Sequence, residues 1–207
     1  IWEIENKYFL NASSQRFAKT IFHYEIFKKI VTVKGDIFEL GVFKGNSLMR
    51  FVNFNEVIKA KKKFVCFDDF GDFSMTGKSK DDKKFILNWR KTTGRGININ
   101  LLKKKLNKKK LNNFKLIKGN ILKSLPEFLF KKQNIKISLL HLDLDVYEPT
   151  ILSLNLLYTK VSKGGIILID DYSQVKGATK ATNEFIKKKN LKIERYKFFP
   201  KPCYIIK

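Results

Sequence analysis

The amino-acid sequence predicts an α/β protein: a doubly wound, mostly parallel, seven-stranded sheet with a C-terminal antiparallel hairpin and a helical insertion. Three observations point there. Short apolar runs alternate with segments of helical periodicity, the pattern of strand–helix–strand crossovers. Several of those runs end in glycine or aspartate, where the chain leaves the sheet for a helix. The last stretch, LKIERYKFFPKPCYII, holds two strand-like pieces about a proline-containing turn with no helix between them.

In chain order, residues 13–33 read as a helix whose buried stripe is Phe17, Ile21, Tyr24, Phe27 and Ile30, at three- and four-residue spacing. In GDIFELGVFKGNS a strand over Asp36–Leu40 breaks at Gly41 into a loop, and a helix starts near Asn46. KFVCFDDF is a second buried strand ending in Asp68 and Asp69. NFKLIKGN is a third, followed by a helix that Pro126 enters at its first turn. IKISLLHLDLD is the fourth, with a helix from Pro149 to about Tyr158. GGIILIDDY is the fifth, and GATKATNEFIKKK a further helix. No internal repeat is present, and the reading is one domain over residues 1–207.

One region interrupts the alternation. Residues 70–113 are polar, contain glycine and lie between the second and third strands. A structureless loop of that length is rare in a compact domain, so a small helical insertion is expected. It would overhang the carboxyl ends of the strands, where ligands bind in such sheets. A lid is the functional reading, and a variable surface excursion the plainer one.

A chain of 207 residues can bury a real core, and no apolar run approaches the roughly 18 residues of a membrane span. The sequence begins at Ile1 without a charged-then-apolar leader, which leaves room for a trimmed segment ahead of it. Cys66 and Cys203 lack metal-ligand spacing and suggest a reducing, cytoplasmic setting. The net charge of +24 invites a polyanion partner, yet only five of the 43 basic residues are arginine, the better reader of phosphates and bases. Lysine runs such as 61–63, 103–105 and 108–110 read first as solvated faces. An anionic small substrate comes next, and a nucleic-acid partner is disfavoured.

Two motifs carry chemistry. The first is Glu39-x-Gly41-x-x-x-Gly45 at the end of strand one. Glycines at such a turn let a ligand approach the backbone, although they are often only conformational. No P-loop Lys-Ser/Thr follows, so phosphate cradling is not favoured. Asp68 falls where an acidic group holds a ribose, with a capped turn as the alternative for Asp68 and Asp69. The second motif joins Asp143, at the end of strand four, to Asp170 and Asp171, at the end of strand five. If those strands are neighbours, three carboxylates converge and repel unless a cation joins them. A hard divalent ion such as Mg2+ suits this all-oxygen set. Separate caps and salt bridges to lysine are the alternative. Asp145 reads as a cap or local partner, and His141 as a hydrogen-bonded structural histidine.

In order along the chain, FELGVFKGNS, FDDF, LDLDVYEPT, GGIILIDDY and GATKATNEF resemble the macrocin O-methyltransferase family, which methylates sugar hydroxyls in macrolide, aminocoumarin and enediyne pathways. The resemblance covers about residues 35–207. It implies a class I, Rossmann-like methyltransferase fold using S-adenosylmethionine and Mg2+. Glu39, Gly41, Gly45 and Asp68 would hold the cofactor, with adenine contacts near Gly119 and Asn120. Asp143, Asp170 and Asp171 would bind the metal, and Asp143 would also be the base. NASSQRFAKT departs from the family's Thr-Met stretch, and Asn120 stands where an acidic residue is common. The expected substrate is a sugar, nucleotide-linked or glycosidic, and the resemblance leaves a homo-oligomer open. A catechol-type methyltransferase and a basic RNA-binding module on a methyltransferase-like fold are the rival readings.

Overall fold

A computed structural model describes residues 2–73, 75 and 79–207. Two helices open the chain, α1 (Trp2–Asn11) and α2 (Ser14–Ile30), before β1 (Asp36–Leu40), α3 (Asn46–Ile58) and β2 (Phe64–Asp68). The insertion supplies α4 (Lys80–Thr93) and α5 (Ile99–Lys108); its residues 74 and 76–78 lie outside those described. Then come β3 (Phe114–Lys118), α6 (Ile121–Lys131), β4 (Ile137–Leu142), α7 (Tyr147–Leu157), β5 (Val161–Ile169) and α8 (Lys176–Lys189). The hairpin β6 (Glu194–Tyr196) and β7 (Phe199–Ile206) closes the fold.

The seven strands lie in the order β3-β2-β1-β4-β5-β7-β6. β1 to β5 run parallel, while β7 is antiparallel to both β5 and β6. The winding direction reverses between β1 and β4, and ligands bind outside the carboxyl ends of strands at such a point. Strand alternation explains the two cores. Phe38, Leu40, Leu140 and Leu142 face one side and pack with Leu125, Phe128, Leu154 and Phe185 of α6, α7 and α8. Ile37 and Leu139 face the other side with Phe22, Phe27, Phe51 and Leu102 of α2, α3 and α5. On that second face Glu39 lies opposite His141 in register, so two polar side chains share an otherwise apolar layer.

Four sequence expectations need correction. In α2 the buried residues are Phe22, His23, Ile26, Phe27 and Ile30, while Phe17, Ile21 and Tyr24 are 46%, 40% and 38% exposed. The helix carries apolar side chains on most of its circumference, so periodicity alone does not choose the face. Ahead of it, α1 was not anticipated; it buries none of its residues. Pro126 sits inside α6, not in its first turn, because Asn120 caps the helix with its side-chain oxygen accepting from Leu122 N at 2.9 Å. In the hairpin, Pro200 and Pro202 lie within β7, beyond Cys203, the last residue paired with β5. There the β5–β7 pairing has ended and the β6–β7 register shifts, and a residue without an N–H is tolerated at such an irregularity. Among the described residues, no helix is long and apolar enough to cross a membrane.

Candidate active site

The β1–α3 loop forms one wall of the site, and Asp68 shapes it. From the end of β2, Asp68 Oδ2 accepts from the backbone N–H groups of Val42 (2.7 Å) and Phe43 (2.9 Å). Its Oδ1 accepts from Phe70 N at 2.6 Å. Burial pushes the Asp68 carboxyl upward while these three donors oppose the shift. Gly41 has φ +90°, and a Cβ there would lie 1.7 Å from the Asp143 carbonyl oxygen. Glycine is therefore required by the close approach of the β4 chain end, whatever the ligand. Gly45 (φ +82°) precedes α3 in the left-handed region.

The carboxylate cluster sits at the neighbouring ends of β4 and β5. Asp143, Asp170 and Asp171 each offer an oxygen, and these atoms lie within 4.8 Å of one another. Lys19, from α2, donates to Asp170 Oδ2. Asp170 Oδ1 faces His23 Nε2 at 3.6 Å and His141 Nε2 at 3.9 Å. His141 Nδ1 in turn lies 3.4 Å from Glu39 Oε1, which also accepts from the Ser47 hydroxyl. Asp171 Oδ2 accepts from Asp145 N at 2.8 Å, and Asp145 holds φ +64°.

Electrostatics divides these groups into two sets. Burial opposes charge on Asp170, but Lys19, His141 and His23 overcome it and hold the carboxyl well below its ordinary range. Burial also opposes the His141 imidazolium, yet Asp170 and Glu39 raise it to about 10. His23, stacked on Phe51, is pushed by burial down to about 3, a shift that Asp170 opposes without overcoming. Asp143 and Asp171 go the other way: burial, then neighbouring carboxylates, drive both well above the usual range. Asp145 rises to about 7 from burial and from Asp143 and Asp170. Asp170 is thus the ionised anchor, while Asp143 and Asp171 are carboxyls whose charge a cation would stabilise. An all-oxygen, closely spaced donor set of this kind fits a hard divalent ion.

Above the cluster opens a cavity of about 670 Å³, within the range of small-molecule sites. Gly41, Asp68, Gly119, Asn120, Asp143, Asp170 and Asp171 all line it. Glu39 and Gly45 do not reach it: Glu39 is fully buried behind the wall, against Ser47 and His141. Asp145 lines the cavity and does not cap α7, whose cap position is Val146. The insertion closes one side through Phe85 and Trp89 of α4 and the 94–96 turn. Trp89 meets Phe43 at 4.5 Å between ring centroids, and Ile97 N donates to Phe43 O at 2.7 Å. Sequence reasoning missed Lys19 and His23, which reach Asp170 from a helix remote in the chain. The only available signal was polar residues at 19 and 23 among the apolar positions of α2.

A family model described as macrocin-O-methyltransferase (TylF) matches residues 23–197. The fold is similar to that of the O-methyltransferase NovP, with a TM-score of 0.78 and 20% identity over 92% of this chain and 79% of that one. It is also similar to CalS11, a calicheamicin methyltransferase, at a TM-score of 0.80 and 20% identity, covering 99% and 84% of the two chains. An apo structure of CalS11, described as a TDP-rhamnose 3'-O-methyltransferase, gives 0.75 and 21%, covering 99% and 85%. No curated protein matches the chain.

Proposed function

This chain belongs to the macrocin O-methyltransferase family, and from that premise we propose that it carries the methyl group of S-adenosylmethionine to a sugar hydroxyl held beside Mg2+ at Asp143, Asp170 and Asp171. It is an O-methyltransferase enzyme. The observation that carries the finer reading is the convergence of three carboxylates on the floor of a cavity at the switch point of the sheet. The acceptor, by the same reading, is a nucleotide-activated or glycosidic sugar, the first being what CalS11 is described as using. Residues 70–113 act as a lid on a single working domain. The free, buried Cys66 and Cys203 suit a reducing cytoplasm.

In this reading the β1–α3 loop, Asp68, Asp69 and the Gly119–Ile121 turn hold the cofactor. Mg2+ in the carboxylate cluster supplies Lewis acidity that lowers the pKa of the acceptor hydroxyl. Asp170 keeps its charge and orientation through Lys19 and His141. Asp171 is aimed by the Asp145 amide. Asp143, whose charge a bound Mg2+ would restore, is left to receive the hydroxyl proton on its carboxylate as the methyl group transfers. Phe43, Trp89 and the insertion keep water from the reacting pair. Alignment of the two reactants lowers the rest of the barrier.

The test has two arms. S-adenosylhomocysteine should raise the thermal midpoint of the protein in proportion to its binding. Methyl transfer to a panel of nucleotide-linked deoxysugars and glycosides should require Mg2+ and stop with EDTA. No stabilisation by S-adenosylhomocysteine would reject the cofactor assignment.

A further inference from the structure

Arginine is scarce in this chain but concentrated at the cavity. Of the five arginines, Arg16, Arg50, Arg90 and Arg95 line it, whereas among the far more numerous lysines only Lys19 and Lys44 do so in the described residues. Half of these six cations are ion-paired. Arg90 and Arg95 both bind Asp72, Arg95 with Nη2 at 2.7 Å and Nε at 3.1 Å. Lys19 is bound to Asp170, and outside the cavity Arg195 lies over the Tyr172 ring.

Lys44 lies over the Phe43 ring, 5.2 Å from its centroid, which leaves Arg16 and Arg50. They project from the N-terminal parts of α2 and α3, and among the described residues neither has an ion-pair partner. Arg50 is half-buried, and that burial holds its guanidinium below the usual range, while Tyr8 and Asp170 oppose the shift and the like charge of Arg16 adds to it. Two guanidinium groups that line one cavity without an ion-pair partner among the described residues, one of them partly out of water, form an arrangement that an anion relieves. Their planar forks match paired phosphate oxygens. Lysine, which supplies the solvated faces, is a point charge without that geometry.

We propose that Arg16 and Arg50 form an anion subsite that holds the phosphate oxyanions of the acceptor while its hydroxyl lies at the carboxylate cluster. The inference rests on the sugar O-methyltransferase reading above and narrows it: the acceptor is a phosphorylated sugar, not a neutral glycoside. Two sources share that chemistry, a sugar monophosphate and a nucleoside-diphosphate sugar.

The experiment titrates the full chain, saturated with S-adenosylhomocysteine and held in EDTA so that no metal bridges the anion, with inorganic phosphate, pyrophosphate, thymidine diphosphate and thymidine. The three anions should bind and thymidine should not. Tighter binding of pyrophosphate and thymidine diphosphate than of phosphate assigns the nucleotide sugar; equal binding assigns the monophosphate; both sustain the subsite. Arg16→Gln and Arg50→Gln should each weaken pyrophosphate by about tenfold or more, the scale of losing a charge-assisted hydrogen bond. If Arg50→Gln does not fold, Arg50→Lys keeps the charge without the fork and should still weaken it measurably. Unchanged pyrophosphate affinity in the double variant overturns the inference. A parallel fall in S-adenosylhomocysteine affinity also overturns it, because the pair then serves the cofactor's carboxylate. Wild-type protein that binds S-adenosylhomocysteine but no anion rejects the subsite alone, whereas failure to bind S-adenosylhomocysteine rejects the reading beneath it.

Discussion

Replacing Asp68 with Ala withdraws one carboxylate from three backbone donors, Val42 N, Phe43 N and Phe70 N, at 2.6–2.9 Å. A hydrogen bond to a charged acceptor contributes about 1.5–3 kcal/mol, so simple addition would overstate the loss. Asp68 is only part-buried, and water will reach some of the freed donors. A net destabilisation of about 3 kcal/mol is expected, scaled down from that sum for the solvent that replaces the carboxylate. For a chain of this size each kcal/mol moves the thermal midpoint by about 2–4 °C, which predicts a fall of about 6–12 °C. Urea unfolding measures the stability directly, and calorimetry with S-adenosylhomocysteine measures binding in the same variant. Both should fall, because the β1–α3 loop that walls the cavity is held by this side chain. Asp68→Asn keeps one acceptor oxygen and should lose less of each. A variant that unfolds at the wild-type midpoint while losing only ligand affinity would refute the loop-clamp reasoning and leave Asp68 as a ribose acceptor alone.

Three further outcomes follow from the same contacts. Gly41→Ala sets a Cβ against the Asp143 carbonyl oxygen at positive φ, and should cost about 3 kcal/mol or more in urea unfolding; a wild-type midpoint would show that the chain end moves freely. Lys19→Met removes the cation bound to Asp170. Mn2+ affinity, read by electron paramagnetic resonance, should then rise about tenfold or more, since a unit charge a few ångströms away contributes on the order of 1–4 kcal/mol. An unchanged or weaker affinity would mean that Lys19 does not compete with the ion. Burial pushes the Cys203 thiol up to about 12 and the Cys66 thiol well above its usual value. Neither thiol should react with an aromatic disulfide reagent at pH 8 until urea unfolds the chain, and prompt labelling would contradict their burial.

Much of this site could be read from the chain because it is made where strands end. Asp143, Asp170 and Asp171 each follow an apolar run, and parallel strands bring their carboxyl ends to one edge, so convergence required only that β4 and β5 be neighbours. The α/β winding and the terminal hairpin were legible for the same reason. Contacts that depend on helix rotation were not. Lys19 and His23 meet Asp170 only because α2 presents its 22–23–26–27–30 face to the sheet, and an apolar surface all round conceals that choice. Glu39 shows a different limit: its position in the motif was plain, but its pairing with His141 follows from the β1–β4 register. Pro126 misled because proline favours a first turn, whereas the Asn120 cap had already begun the helix.

The central claim is that the three-carboxylate floor holds the divalent ion on which methyl transfer depends, with Asp143 at its centre. It is tested most directly by single-turnover transfer of a labelled methyl group from S-adenosylmethionine to an accepted sugar, in wild-type protein and in Asp143→Asn, each stripped with EDTA and then reloaded with Mg2+. The account predicts that stripped wild type is inactive and recovers with Mg2+. Asp143→Asn should stay inactive in both states while binding S-adenosylhomocysteine as tightly as wild type. Full transfer by the stripped wild type, or by Asp143→Asn, would contradict it.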